Sequence, residues 1–146
     1  MIYLPDVNIW IALASDRHVH HLIAKRWLDG IRNEQIVFCR ISELGFLRLL
    51  TNRHGMQNDV LEPVQAWRVY DDLRADPRIL FLPEPVGFSE HWRGAQAEIS
   101  SGPNAWTDAY LAVFAKRADA TVATFDRGFR VIGECDVIVI SKVESE

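Results

Sequence analysis

Along the chain, short apolar runs alternate with longer stretches in which apolar residues recur every three or four positions. The runs "IYLP", "IVFC", "ILFLP", "TVATF" and "VIVI" have the length and β-branched content of buried strands. Between the first two, Asn8 is placed to cap a short helix through "IWIALA". Ala24, Trp27, Leu28 and Ile31 line one face of a second helix, with Lys25, Arg26 and Asp29 off that face. "ISELGFLRLLTN" predicts a helix ending near Asn52, and Pro63 opens another, with Ala66, Val69, Tyr70 and Leu73 as its face and a stop before Pro77. Residues 88 to 100 form a further helix, after which "SGPN" interrupts the chain. The segment 107–129 then reads as an apolar helix opening on Asp108 and a strand closing on Asp126. Strands apolar on both faces, alternating with helices, predict a three-layer α/β/α sandwich around a mainly parallel sheet of about five strands.

No Gly/Ser linker, repeat or low-complexity tract divides the 146 residues, so a single domain over 1–146 is expected. With 49% hydrophobic and 25% charged residues, the chain can bury a core without disulfides. Cys39 and Cys135 match no paired metal spacing and read as buried, reduced thiols, the pattern of a cytoplasmic protein. The first apolar stretch is interrupted at Asn8 and ends at Ala14, short of the ~20 residues a membrane span needs, so neither export nor insertion is expected. A net charge of −4 argues against one large basic surface for nucleic acid and leaves room for local basic patches.

In an open parallel sheet, the C-terminal ends of the strands and the N-termini of the following helices share one edge, where ligands bind. Four acids map to that edge. Asp6 follows the first strand, Asp126 follows the fourth, and Glu43 and Asp108 lie in opening turns of helices. Each has a modest explanation by itself: Glu43 and Asp108 would meet the positive end of a helix dipole, Asp126 would form an Asx-turn closed by Gly128, and Asp6 would be a loop residue ahead of the Asn8 cap. As a set, they would repel one another and raise one another's pKa unless a cation intervened. Oxygen-only donors without a Cys or His pair point to Mg²⁺ or Mn²⁺, and such sites carry out phosphoryl chemistry.

The ordered motifs "LPDVNIWIAL", "HHLIAKRWLDG", "ISELGFLRLLTN" and "WTDAYLAVFAKRADATVATFDRGF" span most of the chain, and together they resemble the PIN-domain ribonucleases, in particular the VapC toxins of toxin–antitoxin pairs. The resemblance carries the family's acidic quartet onto Asp6, Glu43, Asp108 and Asp126. It also implies that Asn8 and Thr124 orient those carboxylates through hydrogen bonds. Asn104 is a further candidate for the same task, or a turn former after Pro103. The activity implied is an endoribonuclease in which bound Mg²⁺ or Mn²⁺ activates water to cut RNA, leaving a 5′-phosphate and a 3′-hydroxyl. The partners implied are a second copy in a homodimer and a VapB-like antitoxin that fills the groove.

Arg17, His20, His21, Arg48, Arg53, Arg127 and Arg130 are candidates for an RNA-holding rim, and Trp106, beside Thr107 and Asp108, for stacking on a base. Of the adjacent histidines, one is expected to pack and the other to face solvent. The remaining tryptophans (10, 27, 67 and 92) read as core or interface anchors. Two other functions remain open at this point. A phosphoacceptor receiver-like domain also places acids at strand ends and a lysine, here Lys142, after the last strand, but "ILFLPEP" offers only Glu84 where such a domain needs an aspartate. A catalytically inactive PIN-like scaffold that binds RNA or protein would not need the complete quartet.

Overall fold

The computed structural model describes residues 1–129 and 135–141. Its strands are β1 (Ile2–Pro5), β2 (Gln35–Phe38), β3 (Ile79–Phe81), β4 (Thr121–Thr124) and β5 (Asp136–Val139). The helices are α1 (Val7–Ala14), α2 (His21–Asp29), α3 (Arg40–Leu50), α4 (Arg53–Met56), α5 (Pro63–Arg74), α6 (Phe88–Gly94) and α7 (Ala105–Ala118), with 3₁₀ turns at Gln57–Asp59 and Gln96–Glu98. Among the described residues the sheet has five strands in the order β3-β2-β1-β4-β5, and every pairing is parallel. The α/β/α sandwich is as the periodicity predicts.

Side chains alternate across the sheet with the two-residue period of a strand, and each face feeds its own core. Leu4, Val37 and Val122 pack under α6 and α7, where Leu111, Phe114 and Phe88 are buried. Ile36, Phe38 and Ile79 pack on the other face with Trp10 of α1, Phe46 of α3, and Ala66 and Tyr70 of α5. There the Trp10 ring lies stacked on Phe38 at 3.7 Å between centroids. Cys39 and Cys135 are buried and free. No helix among the described residues is long and apolar enough to cross a membrane.

The departures from the predicted elements are local. Ile31 lies beyond the end of α2 yet stays buried, in a turn whose carbonyls at Leu28 and Ile31 both accept from the Arg78 guanidinium at 2.7 Å. Cys39 is the N-cap of α3 instead of a strand residue. Asn52 caps a short extra helix, α4, by accepting from the His54 N–H. Helix α7 starts at Ala105, so Asp108 sits at the end of its first turn. The sheet order also excludes the receiver-like reading, because that fold runs 2-1-3-4-5 with the first and third strands adjacent. Glu84, the acid nearest to a phosphoacceptor position, instead accepts a hydrogen bond from the Tyr110 hydroxyl at 2.9 Å. Lys142 lies outside the described residues.

Candidate functional site

From β1 the chain crosses to β2 on one side, and from β4 to β5 on the other, so the neighbouring ends of β1 and β4 form the point where strand order reverses. An α/β sheet opens a ligand crevice at such a point. The two ends are tied together by the Asp6 N–H donating to the Ala123 carbonyl at 2.7 Å. A crevice of about 320 Å³ opens here, lined by Asp6 and Asn8 at the start of α1, Asn104, Thr107 and Asp108 at the start of α7, and Asp126 after β4. Its opposite wall is α3, which presents Ile41, Leu44, Gly45, Arg48 and Leu49.

Thr124 is the joint of the acidic wall. Its hydroxyl donates to Asp6 Oδ2 at 3.1 Å and accepts from the Asp126 N–H at 3.1 Å and from Asn8 Nδ2 at 3.4 Å. That uses the one donor and both acceptor positions a hydroxyl has. Asp6 Oδ1 accepts from the Val7 N–H at 2.7 Å as the N-cap of α1, displacing Asn8 from the predicted capping role. Asp126 Oδ1 accepts from the Gly128 N–H at 2.7 Å, the expected Asx-turn, while the residue still faces the crevice. Thr124→Val keeps the shape and removes all three bonds. For the metal-dependent nuclease that the resemblance implies, cleavage by that variant should fall 10- to 100-fold, and Thr124→Ser should restore it.

The carboxylates feel one another. Burial pushes Asp6 up from its ordinary value against the lowering effect of the Val7 and Thr124 hydrogen bonds, and the Asp126 charge adds to the rise. Asp108 is pushed up to about 6, first by burial and then by the charges of Asp6 and Asp126. A crevice in which burial and neighbouring negative charge raise both Asp6 and Asp108 favours a cation. The donors fit a hard divalent ion: they are carboxylate oxygens, and Asn8 Oδ1 is buried without a partner beside them. Among the described residues no group of three or more His, Cys, Asp or Glu side chains is gathered so as to hold a metal ion by protein ligands alone. An open site of this kind suits an ion that keeps several waters and completes its shell with substrate phosphate.

Glu43 departs from the expected quartet. It occupies the first turn of α3 and is 7% exposed, but it does not line the crevice. Crevice positions on α3 recur as 41, 44, 45 and 48, and at 100° per residue position 43 falls on the far face. There it pairs with Arg40 and bonds the Tyr70 hydroxyl, which burial and that bond together push up to about 12. A position in the sequence motif and a position on the helix face are different things, and here they disagree.

The structure also sorts the rim candidates. Arg48 lines the crevice. His20 and Arg127 line a neighbouring cavity, where the His20 ring tilts against Phe125 at 4.8 Å. His21 is turned inward, its Nδ1 on the Ala12 carbonyl at 2.7 Å, so both histidines pack, because His20 precedes the helix and is not bound by its face geometry. Arg17 pairs with Asp59 in a depression that shares no residue with the crevice, and Arg53 opens α4, lining neither cavity. Trp106 is 63% exposed but lies about 200° round α7 from Asn104, edge-on to Trp92 at 5.7 Å, away from the acids. Arg130 lies outside the described residues. Sequence reasoning missed Gly45. A Cβ there would come within 2.8 Å of Val7 Cγ2, so its absence lets α3 close against the start of α1 and form the crevice wall. A glycine inside an amphipathic helix pattern was the available signal.

The PIN domain family model matches residues 3–134. Ribonuclease VapC41 of Mycobacterium tuberculosis is 37% identical over 144 residues, covering 95% of this chain and 99% of that protein. Ribonuclease VapC38 of the same species is 31% identical over 125 residues, 86% of this chain and 85% of the other. Among solved structures, VapBC2 from Rickettsia felis bound to a promoter DNA fragment superposes with a TM-score of 0.67 at 17% identity, over 97% of this chain and 100% of that one. The sarcin-ricin loop cleaving toxin VapC20 of M. tuberculosis gives 0.65 at 17% identity, over 88% and 92%.

Proposed function

This chain belongs to the PIN-domain family, and from that premise we propose that it is a metal-dependent endoribonuclease of the VapC type, a toxin held in check by a VapB-like antitoxin. The observation that carries the reading is the convergence of Asp6, Asp108 and Asp126 at the reversal of strand order, where their mutual repulsion asks for a cation. We assign the ion, Mg²⁺ or Mn²⁺, to these three carboxylates, with Asn8 and Thr124 holding them in place and Asn104 at the rim. Glu43 is given a structural role. The protein is read as one domain over 1–146, cytoplasmic, and paired as a homodimer.

When bound, a divalent ion lowers the pKa of water and steadies charge on the phosphoryl oxygens. The chain's own residues do the rest. Thr124 fixes Asp6 and the backbone of Asp126 relative to one another, so two acids from different strands keep one geometry. Across from them, Arg48 makes no ion pair among the described residues and presents a guanidinium to the negatively charged RNA backbone. Leu44, 55% exposed on the same wall, offers apolar surface beside it. Hydrolysis adds water across the P–O3′ bond: the water oxygen joins phosphorus, and the 3′ oxygen leaves and takes up a proton. The products are a 5′-phosphate and a 3′-hydroxyl.

The test is incubation of purified protein with total RNA in Mg²⁺, in Mn²⁺ and in chelator, with the cut ends mapped. Cleavage with either ion, its loss in chelator, and 5′-phosphate ends are expected. Undiminished cleavage in chelator would remove the metal assignment, and no cleavage under any condition would remove the enzyme.

A further inference from the structure

Beside the carboxylate crevice lies a second cavity of about 400 Å³, lined by His20 and Ile23 from the start of α2, Phe125 and Arg127 after β4, and Ile140 and Ser141 after β5. Phe125 and Arg127 line this cavity and Asp126 between them lines the crevice, so consecutive residues of one loop serve both. We propose that this cavity is a nucleotide subsite of single-stranded RNA, holding the base and phosphate next to the bond that is cut. The inference rests on the ribonuclease reading above and adds to it a place where the strand is gripped.

The chemistry of the lining is that of a stacking platform with a backbone anchor. His20 and Phe125 meet ring to ring at 4.8 Å and 39°, making a shared π surface that is tolerant of base identity. Arg127 is exposed and makes no ion pair among the described residues, which leaves its guanidinium free for a phosphate. Ile23 and Ile140 supply apolar walls, and the volume falls within the ~300–1,000 Å³ of small-ligand pockets.

The platform is also braced. The His20 N–H donates to His18 Nδ1 at 3.0 Å, and His21 Nδ1 sits on the Ala12 carbonyl at 2.7 Å. The turn that delivers His20 is therefore fixed to α1, the helix that Asp6 caps, so that stacking surface and carboxylates share one rigid support. A site set up in this way loses little ordering entropy when a base enters. An acidic protein can thus hold RNA without a large basic face, because one cation and one aromatic shelf sit beside the site of chemistry.

The test measures binding of a short fluorescent single-stranded RNA by anisotropy in chelator, in an Asp108→Asn background. His20→Ala combined with Phe125→Leu, which removes the rings and keeps apolar volume, should weaken binding about 5- to 150-fold. An RNA with one abasic nucleotide, walked along its length, should show the same loss at a single position with the platform intact and no further loss in the double variant. Arg127→Ala, at an exposed side chain that keeps the test alive if the ring variants misfold, should reduce the slope of log affinity against log salt by about 0.7. Affinities within twofold and an unchanged slope, with RNA still cut by the parent protein, would overturn the subsite and leave the ribonuclease standing. Loss of a bound apolar peptide with RNA affinity intact would overturn it in favour of a protein-docking surface. Failure of the parent to bind or cut any RNA would bring down both readings.

Discussion

Asp108→Asn is expected to lose cation-dependent RNA cleavage by on the order of 10³-fold while gaining stability in chelator. The loss follows from removing one of the three charges we assign to the ion and to the electrostatics of phosphoryl transfer. The gain follows from linkage. The carboxyl of Asp108 is raised from 3.8 to about 6, so the folded state binds its proton more tightly than the unfolded chain does. Native stability therefore declines as pH rises through the range from about 4 to 6, and the handicap is fully present above 6. The full displacement corresponds to at most about 3 kcal/mol, and solvent reaching this half-exposed group reduces it to about 1–2 kcal/mol. Thermal melts in chelator should place the variant a few degrees above the parent at pH 7.5, with the difference vanishing below pH 4. Added Mg²⁺ should reverse the order, because only the parent retains the full site and is stabilised by mass action. A variant that melts lower than the parent in chelator at pH 7.5 would mean that Asp108 serves the α7 dipole and not a cation site.

Glu43 is expected to behave in the opposite sense. Glu43→Gln should keep cleavage within about threefold of the parent, since the side chain lies on the far face of α3 from the crevice. Glu43→Ala should destabilise the protein by about 1–3 kcal/mol, because it leaves the buried Tyr70 hydroxyl without its acceptor. Tyr70→Phe in the Glu43→Ala background should recover part of that loss, since no orphaned hydroxyl then remains. These measurements separate a structural carboxylate from a catalytic one. Cleavage by Glu43→Gln reduced as far as by Asp108→Asn would show that Glu43 turns into the crevice when the ion binds, and would restore a four-acid site.

The contrast between the two acids marks where reading the chain succeeds and where it stops. Asp6 and Asp126 were legible because each directly follows an apolar strand, and a parallel sheet carries every strand's C-terminal end to one edge. Thr124 and Asn8 came from the resemblance, and the fold adds the reason: one hydroxyl bonds to Asp6, Asn8 and the backbone of Asp126 across 118 and 116 residues of chain. Glu43 lies off the crevice-lining face of α3, which strand-end logic does not foresee, because it locates the start of a helix without fixing its rotation, and one residue of helix phase is 100°. The same unfixed phase brought Trp106 towards a crevice from which α7 turns it away. His20 and Arg127 were legible only as separate candidates for an RNA-holding rim, and the pairing of β1 with β4 and β4 with β5 sets them around a common cavity.

By itself the sequence determined the layered α/β architecture, the apolar faces of the helices and the strand-end placement of its aspartates, because periodicities of two and 3.6 and the helix-breaking residues are properties of the local chain. Tertiary structure alone decided the strand order, the closeness of α3 to α1 at Gly45, and which carboxylates share a crevice. Those depend on helix rotation and on contacts between residues from 15 to more than a hundred positions apart, which no local pattern encodes.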